Sequence, residues 1–554
     1  MKILFSQTQA RASLLMIAGL TWGGLSVAHA TPETAIPADS FVDSFGVNIK
    51  LDYADTPYGD FAKVKQTLLD SGIRHVRVGP AEAAKLNELG ASGIRLTCIM
   101  QPSRVGMSEK EWQEEIISSL RPIQPYLAAI EGPNEPDGGY IQQLKPFPDA
   151  VISYQKLLYQ TVKADAQLKR LPVIVPSIAF PPNSVKVPNQ PGDLGNTHSY
   201  HGARPPETDE VNLDLSKFYL GNAAIEAPGK TVICTETGNP TNQEDDPNLW
   251  MPRISEWSQA KYALRTFCYY YAQGIPRTFV HELVDEHPVA NVAEANFGLL
   301  RNDWSPKPAY TGIRNLLHLL NDPAPAQPSK PWKPEALDFE LTGGTANVRH
   351  LLLQKRDGTF YLVLWQAVKS YDFERKLDIG VADAAVTLTS RTPLSHALIY
   401  SPLGFAGAGA ALRVQDNLKL GVPDYPIVVE LIPRGPDLVV TGFSTVEPAI
   451  AGKPVRFKAT LKNQGTAKTP AGTILSVTFF DKTQGARTML TYSSTFKSSL
   501  SAGAQVEVVS DGQWTPKTSG DFSIEAQADD ADRVAETSEA NNSLIQTVRV
   551  APQP

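Results

Sequence analysis

The chain has 554 residues, 20% of them charged, and a formal net charge of −7. That length exceeds one domain and makes three the natural expectation, and the mildly acidic balance with no basic face excludes nucleic acid as the main partner. The three cysteines, Cys98, Cys234 and Cys268, all fall in apolar segments, which excludes a disulfide-built scaffold and reads as small buried residues.

The N-terminus carries Lys2 and Arg11, then an apolar run over 13–27, then Ala28-His29-Ala30 before Thr31-Pro32. This is the pattern of a signal peptide, residues 1–30, cleaved after Ala30. The expected location is periplasmic or secreted. No later run is long and apolar enough to span a bilayer, so no transmembrane anchor is expected.

From residue 40 apolar strands and amphipathic helices alternate. Strands are expected over 45–51, 75–79, 94–100, 127–131, 172–179, 196–201, 231–237 and 277–284. Helices are expected over 58–71, 80–89, 108–120, 150–167, 214–227, 255–273 and 309–320. Ser108 with Glu109 and Glu111 marks one helix start, and Gly274 follows another helix end. Eight strands and seven helices over 40–320, with a Pro- and Asn-rich loop of little helix after the fifth strand, fit one (β/α)8 barrel.

Two of these strands end in a glutamate. The run Leu127-Ala128-Ala129-Ile130 continues through Glu131 and breaks at Gly132-Pro133-Asn134-Glu135-Pro136. The later run ends Cys234-Thr235-Glu236-Thr237-Gly238. Carboxylates at strand C-termini are held by rigid elements yet reach open space. Glycoside hydrolysis needs such a pair, one to protonate the leaving oxygen and one to attack or to activate water.

Asn134-Glu135-Pro136 and Thr235-Glu236-Thr237-Gly238 resemble the fourth- and seventh-strand glutamates of the clan A retaining glycoside hydrolases, nearest the family 39-like members. The resemblance implies a (β/α)8 barrel, Glu135 as acid/base, Glu236 as nucleophile and Asn134 as a substrate-binding amide. His198 and Tyr200 resemble the positions that contact the nucleophile in that clan. The clan's aromatic stacking residue on the eighth strand is replaced here by His281. Arg77, inward on the second strand, either orients Glu236 or pairs with Glu131. Trp304 and Trp250, in loops, either stack on a sugar or pack. By alternation Cys234 and Glu236 both point inward. No cofactor is expected, and no metal, since His281-Glu282 and His287 lack the spacing that places two ligands on one helical face.

A Pro-rich stretch over 321–334 reads as a stiff linker. Beyond it the period changes to two, and residues 335–434 are expected to form a small β-sandwich with strands over 348–354, 359–365, 384–388, 396–400 and 427–432. Residues 436–550 are again β-patterned. Pro436-Asp437-Leu438, Lys462-Asn463-Gln464-Gly465 and the segment from Glu536 to Asn542 resemble the CARDB-like, adhesion-related immunoglobulin-like module of bacteria. That resemblance implies a spacer or an interaction module at a cell surface or glycan. The acidic loop Asp529, Asp530 and Asp532 lacks an EF-hand pattern and reads as a solvated turn. The glycines at 404, 407 and 409 fall in a β region and read as loop.

The reading is an exported hydrolase of β-glycosidic bonds acting on a poly- or oligosaccharide. A non-catalytic carbohydrate-binding or adhesion protein on a barrel scaffold stays open, as does transglycosylation by the same residues.

Overall fold

The computed structural model of the protein describes residues 32–79, 81–139, 141–247, 251–323, 332–404, 410–412 and 417–553. The expected signal peptide, Trp250, most of the linker, and Gly407 and Gly409 lie outside the described residues.

Eight parallel strands form the barrel: Phe45–Ile49, His75–Val78, Arg95–Ile99, Leu127–Glu131, Val173–Ile174, Gly195–His198, Val232–Thr237 and Thr278–Val280. In space they run fifth, fourth, third, second, first, eighth, seventh, sixth. The ring closes between the fifth and sixth through a single parallel bridge, Ile174 to Leu194. The first, second and eighth strands are buried at every position, as parallel strands covered on both faces must be. The helix Glu109–Leu120 starts in a capping box, Ser108 with Glu111. The helix Glu256–Ala272 is capped by Ser255, and Gly274 at φ 82° leads the chain away from its end.

Three expected elements are shorter or different. The fifth strand has only two residues, because Pro172 and Pro176 flank it and have no N–H to give a ladder. The eighth stops at Val280, since the following N–H groups leave the ladder's register: Leu283 donates to Asn48 and Glu282 to Phe297. Residues 215–219 form a π-type turn, capped by Asp214, before the helix Leu220–Glu226 begins.

The expectation that Cys234 faces inward with Glu236 is corrected. The seventh strand slips in register against both neighbours between Cys234 and Thr237. A bulge of this kind lets consecutive residues share a face. Thr235 and Glu236 both turn inward, and Cys234 is driven outward against Tyr219 and Tyr270 under the helices.

The β-sandwich has a three-stranded sheet (Phe339–Gly343, Ala384–Ser390, Asn417–Val422) over a six-stranded one. Of these, Phe339–Gly343 and Asn417–Val422 were not among the expected strands. Two N-terminal strands also join it. Glu33–Thr34 pairs with Ala336–Leu337, and Ile36–Pro37 pairs parallel to Leu353–Gln354. Leu351, Leu353, Tyr361, Val363, Trp365 and Val428 belong to the same apolar core as the barrel and its helices. Buried ions stitch this joint: Lys261 Nζ lies 2.8 Å from Asp424, and Arg265 2.5 Å from Glu207, which also accepts from Trp365 Nε1. The C-terminal module has its own core around Phe457, Phe479 and Trp514. It forms sheets of three and four strands, including Thr488–Ser493, a strand not expected from the sequence.

Candidate active site

The floor of the site is a buried pair. Arg77, 3% exposed, donates from Nε and Nη2 to both oxygens of Glu131 at 2.7 and 2.8 Å. Glu131 is fully buried and also accepts from Asn196 Nδ2 (3.2 Å) and faces the Thr235 hydroxyl (3.0 Å). Such a pair is tolerated in a barrel because every charge-bearing atom is hydrogen-bonded. Its remaining donors point up to the mouth. Nη1 donates to Glu236 Oε2 at 2.8 Å and Nη2 to Asn134 Oδ1 at 2.6 Å. The two alternatives for Arg77 therefore coexist: it pairs with Glu131 and it orients Glu236.

Glu236 sits at the end of the seventh strand. Tyr200 Oη donates to its Oε1 at 2.5 Å, and Asn48 Nδ2 approaches Oε2 at 3.4 Å. Burial works against the charge. The surrounding His198, His281 and Arg77 together with the Tyr200 hydroxyl outweigh it, so the carboxyl is held well below its ordinary range and is ionised at neutral pH.

Glu135 stands opposite, at the end of the fourth strand, in a left-handed backbone conformation with φ 44° and ψ 50°. A non-glycine residue there is strained and must be held from outside. Its N–H donates to the Ser177 carbonyl and hydroxyl, both at 3.1 Å, and Pro136 fixes the next turn. His198 joins the two glutamates. Its Nδ1 is 2.7 Å from Glu135 Oε1 and 3.9 Å from Glu236 Oε1. Its Nε2 lies 3.0 Å from the Thr235 hydroxyl. That hydroxyl's only hydrogen goes to Glu131 or Asn196, both acceptors, so His198 Nε2 must carry a proton toward it. One further proton then lies between His198 Nδ1 and Glu135.

One donor atom from each of Glu135, His198 and Glu236 lies within 4.8 Å of the others. The two carboxylates are thus close neighbours, and still partly exposed, at 20% and 12% of their side chains.

His281 is 4% exposed. Its ring lies edge-on to Phe297 at 5.1 Å and its Nε2 is 3.4 Å from Glu294. Buried in this way, it offers no open ring face for stacking. Trp304, at φ 69°, donates its N–H to the Arg301 carbonyl and carries the Lys63 ammonium 5.4 Å over its ring.

The C-terminal module matches the CARDB family model over residues 435–546. No curated protein matches the chain in sequence. Among solved structures, the chain is similar to a family 39 glycoside hydrolase from Bacteroides cellulosilyticus WH2, at 15% identity and TM-score 0.48 over 72% of this chain and 82% of that one. A family 39 enzyme from Xanthomonas axonopodis pv. citri aligns at 17% identity and TM-score 0.48, over 73% of this chain and 98% of that one. A monomeric β-xylosidase from Caulobacter crescentus CB15 aligns at 15% identity and TM-score 0.47, over 73% and 98%.

The trio Glu135, His198 and Glu236 has the donor types of a cation site, but its electrostatics do not suit one. Arg77 already places a positive charge 2.8 Å from Glu236, and both His198 nitrogens are engaged. Sequence reasoning passed over Asn48, Asn196 and Ser177. The signal was there for the first two, since each is the one amide in its barrel strand. It also passed over a second charged layer at the mouth. Lys50 bonds Glu286 and Glu294, and Glu282, fully buried, accepts from Tyr58 Oη at 2.8 Å. Burial and the nearby Glu286 push the Glu282 carboxyl up to about 7 against the pull of Lys50 and His281.

Proposed function

We propose that the protein hydrolyses β-glycosidic bonds of a poly- or oligosaccharide with retention of configuration. The observation that carries this is the close approach of Glu135 and Glu236, one oxygen of each lying within 4.8 Å of the other. Retaining enzymes hold their carboxylates about 5–5.5 Å apart, inverting ones about 6.5–9.5 Å. The local chemistry divides the roles. Glu236, ionised by Arg77, His281 and Tyr200, attacks the anomeric carbon and forms the glycosyl-enzyme. Glu135, with a proton shared with His198, protonates the departing oxygen. In the second half Glu135 takes a proton from water as that water displaces Glu236. Asn134 has its oxygen fixed by Arg77, which leaves its Nδ2 to donate to a sugar hydroxyl. Export is proposed from the N-terminal pattern, and a surface or glycan contact is proposed for the C-terminal module.

Glu236 is tested by a 2-deoxy-2-fluoro glycoside of a sugar that the enzyme turns over. The expected result is a covalent adduct on the peptide holding Glu236, read by mass spectrometry. An adduct elsewhere, or single-step inversion by NMR, refutes the assignment.

A further inference from the structure

Beside the end of the seventh strand, next in the chain to Glu236, lies a small chamber of about 10 Å³, walled by Thr237, Gly238, Asn239, Gln259, Thr266 and His281 among others. Among the described residues, three buried polar atoms of this wall have no hydrogen-bond partner: His281 Nδ1, Gln259 Oε1 and Asn239 Nδ2. The orientation of Gln259 is set independently, because its Nε2 donates to the carbonyls of Asn239, Phe297 and Gly298 at 3.0, 3.3 and 3.3 Å. Its oxygen is therefore the acceptor left over. Unpaired buried polar groups are rare and costly, and a space of about 10–15 Å³ with two to four polar partners is what one water needs.

We propose that this chamber binds one structural water, which accepts from His281 Nδ1 and Asn239 Nδ2 and donates to Gln259 Oε1, and that the water makes His281 a positioning residue for the ionised Glu236. The inference rests on the reading of Glu236 as nucleophile. Without the water an imidazolium at position 281 would bury one N–H unpaired. With it, both ring N–H groups are satisfied, Nε2 by Glu294 and Nδ1 by the water. The groups facing the ring favour that charged form. Glu236 comes from the seventh strand, Glu282 from the end of the eighth, and Glu294 from the turn Glu294–Asn296. Opposing them are burial and Lys50, itself paired with Glu286 and Glu294. The helix behind, Glu256–Ala272, presents Gln259, Ala263 and Thr266 to the chamber and no charge. The balance raises the ring's pKa to about 9. His281 thus holds positive charge against Glu236 without touching substrate.

Three measurements on the full-length protein test this. In a high-resolution crystal structure one ordered water is expected within about 3 Å of the three atoms, and a chamber without that density overturns the water site. In histidine-labelled protein, ¹⁵N NMR is expected to show the His281 ring charged at pH 7, and a neutral ring overturns the positioning role. Ala263→Val fills the chamber without removing a polar group. It is expected to move the acid limb of kcat/KM upward by about one pH unit, because the charge supporting Glu236 is weakened. An unmoved limb in a variant shown to lack the water also overturns the role. The first two readouts need no activity and no variant. A protein that turns over no glycoside therefore refutes the proposed function while leaving the water and the ring charge to be decided separately.

Discussion

Two glutamates of the same residue type meet different neighbours. Glu236 meets Arg77, Tyr200 and Asn48, all donors, while Glu135 meets one imidazole and solvent. This difference predicts how Glu135→Gln should behave. The amide keeps the shape and cannot give a proton, so turnover of natural glycans should fall about 10²–10⁴-fold, the usual reach of general acid–base catalysis. An activated dinitrophenyl glycoside needs little protonation, so its first step should survive and glycosyl-enzyme should accumulate. Azide needs no base and should then restore turnover, giving a β-glycosyl azide identified by NMR. Equal losses on both substrate types with no azide response would remove Glu135 from the acid/base role.

At the scale of strands, the site depends on how closely the seventh and eighth approach one another. Gly238 lies where any Cβ would fall 2.4 Å from the His281 carbonyl oxygen. Gly238→Ala must push these strand ends apart, and with them Glu236, two residues upstream. We expect about 1–3 kcal/mol of lost stability by urea denaturation and up to about 10²-fold lower kcat/KM from the displaced carboxylate. Unchanged kinetics in a destabilised variant would mean that the seventh strand end absorbs the shift without moving Glu236. The same strand ends mark where sequence reading stops. Alternation and turn residues located all eight barrel strands and both glutamates, because buried parallel strands are continuous apolar runs and Gly-Pro pairs end them. Alternation failed at Cys234, since a bulge is a property of pairing with two neighbours and leaves no local trace. It also gave no sign that His281 would be buried, because that depends on Phe297 and Glu294 arriving from a later loop. Thr488–Ser493 has no regular alternation and gave too weak a pattern, whereas Asn417–Val422 does alternate and was passed over.

For the molecule as a whole, the three parts are joined unequally. The barrel and the β-sandwich share one core and buried ions, whereas the C-terminal module closes its own core around Phe457 and Trp514. Ending the chain after Arg434 should therefore leave a folded protein with nearly unchanged turnover on small aryl glycosides, while its retention on polymer, measured by sedimentation, should fall. Ending it before the β-sandwich should instead expose Trp365's apolar partners on the barrel and yield insoluble protein. Loss of small-substrate activity in a still-folded Arg434 truncation, judged by circular dichroism, would show that the tail helps to build the site.

The two short strands before the barrel set the order in which the chain can be completed. Glu33–Thr34 and Ile36–Pro37 find their partners at Ala336–Leu337 and Leu353–Gln354, some three hundred positions later. In a nascent chain these two strands therefore have no partner yet, and the barrel cannot be clasped until the first hairpin of the β-sandwich has followed. Contacts of such long range form slowly, and until they form the unfinished sheet presents open edges. The clasp thus ties completion of the barrel to that of the β-sandwich, so the two are expected to reach the native state together.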